Sequence, residues 1–125
     1  MRSPSGRRQV AESISKGKAL LNAYRTAAID YVNFHWYIQD PRALEEAVAF
    51  LRARTGLAVI TNEIGQPDRS SKTVTALLDK VLKLELPVAI WSSVDRPQAR
   101  ALQDPDGRWR ENGLAAKSFL WRRLP

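Results

Sequence analysis

The chain has 125 residues, of which 44% are hydrophobic, and this size and composition are typical of one compact domain with a modest core. It contains no cysteine, which excludes disulfides, thiolate metal sites and cysteine nucleophiles, and no apolar run approaches the roughly 20 residues that a membrane span needs. The formal net charge is +7, but the basic residues cluster at the two ends and are balanced in the middle, so we expect a solvated surface and neither a membrane nor a nucleic acid as partner.

The first predicted elements are an arm, a helix and a strand. Residues 1–8 are polar and basic, and we interpret them as a flexible arm in front of a single domain over residues 9–125. Apolar side chains recur at steps of three and four over residues 9–28, which predicts an amphipathic helix. The apolar, β-branched and aromatic run over residues 29–37 predicts the first strand.

A second helix and two further strands follow. Asp40 and Pro41 have the residue types of an N-cap and a first helical position, and Gly56 has that of a helix end. The later elements are a second strand, a third helix capped by Ser70 or Ser71, a third strand, a long loop and a last helix. The second strand is predicted over residues 57–61, the third helix over 71–86 and the third strand over 88–91. The long loop is predicted over residues 92–107 and the last helix over 114–124.

Strands that alternate with helices predict parallel strands joined by right-handed crossovers, which places the chain in the α/β class. Equivalent strand positions at Tyr31, Val59 and Ala89 are separated by about 30 residues, the usual length of a βαβ unit. Ligands of parallel α/β folds bind at the carboxyl ends of the strands. We therefore expect functional side chains where these three strands end.

Four residues at those strand ends carry useful chemistry. Glu63 has two open interpretations: a nucleophile or general acid/base of glycoside hydrolysis, or a loop carboxylate that binds backbone N–H groups. His35 and Tyr37 lie two positions apart and share a face. Either His35 binds a sugar hydroxyl and Tyr37 donates a hydrogen bond to Glu63, or the two form a buried aromatic pair. Trp91 has the indole on which sugar rings stack, although a core position is equally open. As the neighbour of Glu63 in a strand, Asn62 is expected to point away from it.

The segments around these residues resemble the last three strands of clan A glycoside hydrolases, which are retaining (β/α)8 barrel enzymes. The resemblance implies a partial (β/α)8 TIM barrel, with three parallel strands similar to strands 6–8 and a carbohydrate substrate for the intact enzyme. It also implies that Glu63 is the nucleophile, Tyr37 its hydrogen-bond partner, His35 a substrate contact and Trp91 the sugar platform. The matching segments are Asn33-Phe-His-Trp-Tyr37, Thr55-Gly-Leu-Ala-Val-Ile-Thr-Asn-Glu-Ile-Gly65 and Pro87-Val-Ala-Ile-Trp-Ser-Ser93.

The chain departs from the clan A pattern at the second carboxylate. The family's acid/base glutamate lies on an earlier strand, in an Asn-Glu-Pro type segment, and Asp95 is the nearest candidate here. A complete barrel has eight strands in about 250 residues, whereas three strands are predicted. Retention needs two carboxylates about 5 Å apart, so we expect a fragment that is inactive alone.

Two alternative functions remain open beside the glycosidase fragment. One is a small α/β interaction module without catalysis, which self-association through the open sheet edges would suit. The other is a basic nucleic-acid binder, for which the sequence shows no motif. With a single histidine and no glycine-rich phosphate loop, the sequence predicts neither a metal nor a cofactor.

Overall fold

The computed structural model describes residues 16–92, 94 and 101–123, and this part of the chain is an α/β fold. Three parallel strands alternate with helices and form one sheet with the order β1-β2-β3. The elements are α1 over residues 16–26, β1 Tyr31–Trp36, α2 Pro41–Thr55, β2 Ala58–Ile64, α3 Ser71–Lys83, β3 Ala89–Trp91 and α4 Glu111–Trp121. The predicted α/β class and its three parallel strands are thus confirmed.

Several predicted features lie outside the described residues. They include the basic arm over residues 1–8, the first turns of the first helix, and Asp95 in the loop after the third strand. Among the helices that the structure describes, none is both long and apolar enough to cross a membrane.

The two ends of α2 follow from local sequence. The Asp40 side chain accepts a hydrogen bond from the Arg42 N–H at 2.8 Å, and Pro41 occupies the first helical position. At the other end, Gly56 adopts a φ of 68° and its N–H donates to the Arg52 carbonyl at 2.9 Å. Glycine adopts this left-handed conformation without steric cost, so the helix ends at the predicted position.

The start of α4 differs from the prediction. The helix begins at Glu111, three residues before the predicted start, because Asn112 and Gly113 are buried rather than part of a solvated turn. The Asn112 amide donates to the Ala101 carbonyl at 3.1 Å. A Cβ on Gly113 would lie 2.0 Å from the Leu102 carbonyl oxygen, so only glycine lets the helix approach this closely.

The main core lies between the sheet and the helices. Trp36 faces the helices, and its ring meets Phe34 edge-on with centroids 6.3 Å apart. A smaller cluster of Val74, Leu102 and Ala116 joins α3 to α4. The main cluster is formed by Val32, Trp36, Leu44, Val48, Val59, Ile64, Leu77 and Val81.

The other side of the sheet is not covered by the described helices, and we call it the open face. Tyr31 and Ile90 are 52% and 54% exposed there, although both belong to strands. Large exposed apolar side chains are unusual on a parallel sheet, because parallel sheets are normally covered on both faces. The open face consists of Tyr31, Asn33, His35, Ala58, Ile60, Asn62, Glu63 and Ile90.

Candidate active site on the open face

A β-bulge in β2 determines which side chains reach the open face. From the pair Asn33–Ile60 to the pair His35–Glu63, β2 advances three positions while β1 advances two. The pairing of β2 with β3 contains a shift of the same kind. A bulge interrupts the alternation of side chains between the two faces of a strand. Glu63 and its neighbour Asn62 therefore lie on the same face.

Side chains satisfy the backbone groups at the bulge. The Thr61 hydroxyl is fully buried; it donates to the Phe34 carbonyl at 2.7 Å and accepts from the Glu63 N–H at 3.3 Å. The Asn62 N–H donates to the Asn33 side-chain oxygen at 2.9 Å. Backbone groups that a bulge removes from the ladder need other partners, so these bonds stabilise the bulge.

The Glu63 carboxylate has a partner on each of its two oxygens. The Tyr37 hydroxyl donates to Oε1, and His35 Nδ1 lies 3.3 Å from Oε2. The side chains of His35 and Glu63 are 53% and 35% exposed, so a ligand on the open face would reach both. The structure therefore brings three of the four predicted site residues together, while their catalytic and binding roles remain predictions.

Two asparagines that the sequence did not single out as site residues complete the group. Asn62 Oδ1 lies 3.1 Å from His35 Nε2 and accepts a hydrogen bond from Asn33 Nδ2 at 2.8 Å. The expectation that Asn62 points away from Glu63 is wrong, because the bulge removes the alternation on which it was based. Asn33 was detectable in principle, since it lies two positions before His35 and shares its face.

Trp91 lies apart from this group. It pairs in register with Ile64 on the helix-covered side of the sheet, and its side chain packs against both core clusters. Its neighbours there include Leu78 and Val81 of α3. Trp91 therefore does not share a face with Glu63, because it pairs with a residue beyond the bulge that faces the helices, and its role as a sugar platform stays a prediction.

A polar network supports the loop that follows β2. The buried Gln66 amide donates to the Asp68 carboxylate at 2.7 Å and accepts from Asn112 at 3.1 Å. Burial alone would raise the pKa of Asp68, but hydrogen bonds from Gln66, Ser70 and Thr73 outweigh it and hold the pKa below its ordinary value. The network ties the carboxyl end of β2 to α3 and α4.

Carboxylates are scarce in the sheet. Within β1, β2 and β3, Glu63 is the single acidic residue. Across residues 16–92, 94 and 101–123, no group of three or more histidine, aspartate or glutamate side chains is arranged to hold a metal ion. The site as described thus offers one carboxylate with a hydroxyl and an imidazole around it, and the lack of a metal or cofactor remains a prediction.

Comparison with known proteins bears on the fold. No protein-family model and no curated protein sequence matches the chain. Among solved structures, it is similar to a GH128 (subgroup VI) exo-β-1,3-glucanase from Aureobasidium namibiae, with a TM-score of 0.60 and 16% sequence identity. The chain therefore shares its fold with part of that enzyme. The match covers 86% of this chain and 46% of the glucanase, so the chain spans less than half the length of that enzyme.

Proposed function

We propose that this chain is the C-terminal part of a retaining glycoside hydrolase, with β1, β2 and β3 in the places of strands 6, 7 and 8 of a clan A (β/α)8 barrel. One observation carries the proposal: a carboxylate with a partner on each oxygen lies at the carboxyl ends of two adjacent parallel strands. Ligands bind at this end of the strands in barrel enzymes. The similarity of fold to a glucanase supports the same assignment.

In the proposed reaction Glu63 is the nucleophile. Its carboxylate attacks the anomeric carbon, and the bond from that carbon to the leaving oxygen breaks. A carboxylic acid on an earlier strand, about 5 Å away, protonates the leaving oxygen. The same group then takes a proton from a water molecule, which releases the sugar from Glu63 with its original configuration.

Within this mechanism, Tyr37 and His35 orient the two oxygens of Glu63 before attack. A nucleophile held in a single orientation needs less reorganisation to reach the transition state. His35 is also exposed enough to contact a sugar hydroxyl. The acid/base group is not among the strand residues that the structure describes, so we expect the chain to be inactive alone.

The proposed substrate class follows from the fold neighbour, which is an exo-β-1,3-glucanase. We propose an O-glycoside as the substrate of the intact enzyme, with aryl β-glucosides and β-1,3-glucan as the first compounds to test. The expectation that nucleic acid is not a partner remains a prediction, and retention on DNA at low salt would contradict it.

The test requires an eight-stranded enzyme. The chain is joined to, or expressed with, a polypeptide that supplies five preceding (β/α) units and the acid/base carboxylate, and hydrolysis of an aryl β-glucoside is measured. We expect Glu63→Gln to abolish turnover, because an amide is a poor nucleophile at the anomeric carbon. The matched control is Glu46→Gln, which changes an exposed glutamate on α2 and should leave the rate unchanged.

A chemical rescue separates a nucleophile from a general acid. In Glu63→Ala, added azide should occupy the vacated space, attack the anomeric carbon and yield the α-glycosyl azide from a β-glycoside. A variant lacking an acid/base residue would yield the β-azide instead. Activity retained in Glu63→Gln, or a β-azide from Glu63→Ala, would remove Glu63 from the nucleophile role.

A second candidate function is an interaction module without catalysis. The exposed apolar side chains of Tyr31 and Ile90 favour it, because an uncovered sheet gains free energy when a second surface buries it. Self-association through the edges β1 and β3 would achieve this. Sedimentation of the isolated chain separates the candidates, since a stable dimer that resists dilution to nanomolar concentration would favour the module.

A further inference from the structure

Two asparagines on the open face have amide orientations that the hydrogen bonds determine. The backbone N–H of Asn62 can only donate, so the Asn33 atom 2.9 Å from it is the oxygen Oδ1. The other branch of the Asn33 amide is then the donor Nδ2. Its partner on Asn62, at 2.8 Å, must therefore be an acceptor, the oxygen Oδ1.

These orientations determine where His35 carries a proton. Its Nε2 lies 3.1 Å from Asn62 Oδ1, an oxygen without a proton to donate. Nε2 must therefore be protonated for the contact to be a hydrogen bond. The ring is then turned so that the other nitrogen, Nδ1, lies 3.3 Å from Glu63 Oε2.

We propose that Asn62 is a positioning residue, which accepts the Nε2 proton of His35 and thereby directs the imidazole toward the Glu63 carboxylate. Its catalytic meaning rests on the proposed function, in which Glu63 is the nucleophile. The hydrogen-bond geometry does not depend on that function. The β2 bulge is what makes the arrangement possible, because it places Asn62 on the same face as Glu63.

The arrangement leaves one position for proton movement. A proton on His35 Nδ1, in addition to the one on Nε2, would donate to Oε2 of an ionised Glu63. When the proton resides on the carboxyl group, Glu63 donates it to the lone pair of Nδ1. In both arrangements Nε2 keeps its proton. Asn62 therefore excludes the neutral tautomer that is protonated on Nδ1 alone, because that tautomer has no Nε2 proton for Asn62 Oδ1 to accept.

The chain contains a single histidine, so imidazole signals in ¹⁵N NMR spectra of the full chain report on His35 alone. An exposed imidazole N–H normally exchanges with water too quickly to be seen. We expect an observable Nε2–H proton in the wild-type chain, and an Nε2 chemical shift typical of a protonated nitrogen. Asn62→Ala should lose the N–H signal, whereas Asn62→Asp should keep it because an acceptor oxygen remains.

Asn22→Ala, an exposed change on α1, is the matched control and should leave the histidine signals unchanged. A neutral wild-type imidazole protonated on Nδ1 would overturn the proposal, as would an Nε2–H signal that persists in Asn62→Ala. The wild-type spectrum decides the tautomer even if Asn62→Ala does not fold. If Glu63→Gln retains activity while the NMR outcome is as expected, the proposed function fails and the positioning role of Asn62 stands.

Discussion

The buried Thr61 hydroxyl bonds to backbone groups of both β1 and β2 at the bulge, so replacing Thr61 with valine is the sharpest test of how the site is built. Valine keeps the shape and the strand preference of threonine and removes only the hydroxyl. Thr61 Oγ1 donates to the Phe34 carbonyl at 2.7 Å and accepts from the Glu63 N–H at 3.3 Å. Thr61→Val thus removes one bond between the bulge and β1 and one bond within the bulge itself.

The magnitude follows from these two bonds and from the added methyl group. Loss of the partner of a buried polar group costs about 1–3 kcal/mol. The longer bond to Glu63 N–H contributes less, because Glu63 is half-buried and water can replace the hydroxyl. Burial of the methyl group that valine adds offsets about 1 kcal/mol of this loss. We expect Thr61→Val to lower the free energy of unfolding by about 1–2 kcal/mol.

The assay is thermal and urea unfolding followed by circular dichroism. For a domain of this size, the expected loss lowers the unfolding midpoint by roughly 4–8 °C. The control is Thr75→Val on α3, whose hydroxyl bonds only to the Ser71 carbonyl of the preceding turn, and we expect a change within about 0.5 kcal/mol. Equal stability of Thr61→Val and the wild type would refute the role assigned to the hydroxyl.

Two further predictions concern α4 and the loop after β2. Gly113→Ala places a methyl group 2.0 Å from the Leu102 carbonyl oxygen, so we expect the free energy of unfolding to fall by about 1–3 kcal/mol. The control Gly17→Ala has open space around it and should be neutral or slightly stabilising. Equal effects of the two changes would contradict the packing argument. Because the folded-state pKa of Asp68 lies below its ordinary value, its stabilising contribution is complete above the unfolded-state value of about 4 and is lost as the pH falls further. Asp68→Asn should therefore be less stable than the wild type at neutral pH, and the gap should narrow in urea titrations below about pH 4; a constant gap would contradict this.

Local chemistry made part of the structure predictable from sequence. The alternation of apolar runs predicted the α/β class and the parallel strands, because each run has the period and length of one element. Asp40, Pro41 and Gly56 predicted both ends of α2, because caps depend on neighbouring backbone groups alone. The meeting of Tyr37 with Glu63 followed from two adjacent parallel strands that end at the same edge.

Contacts between distant residues decided the rest. The helix α4 begins at Glu111 because the next residue, Asn112, bonds to Gln66, 46 positions earlier. Trp91 lies on the helix side because of its register against β2, which no local pattern reveals. The part played by Asn62 likewise depends on bonds to Asn33 across two strands.

The sequence by itself therefore determined the elements, their order and the two strand ends at which Tyr37 and Glu63 meet. Only the tertiary structure decided which face each strand-end residue occupies, because the extra residue in β2 is a property of its pairing with β1 and β3 rather than of β2 alone. A one-residue change of register moves every following side chain to the other face. For that reason Asn62 belongs to the candidate site and Trp91 does not lie beside it.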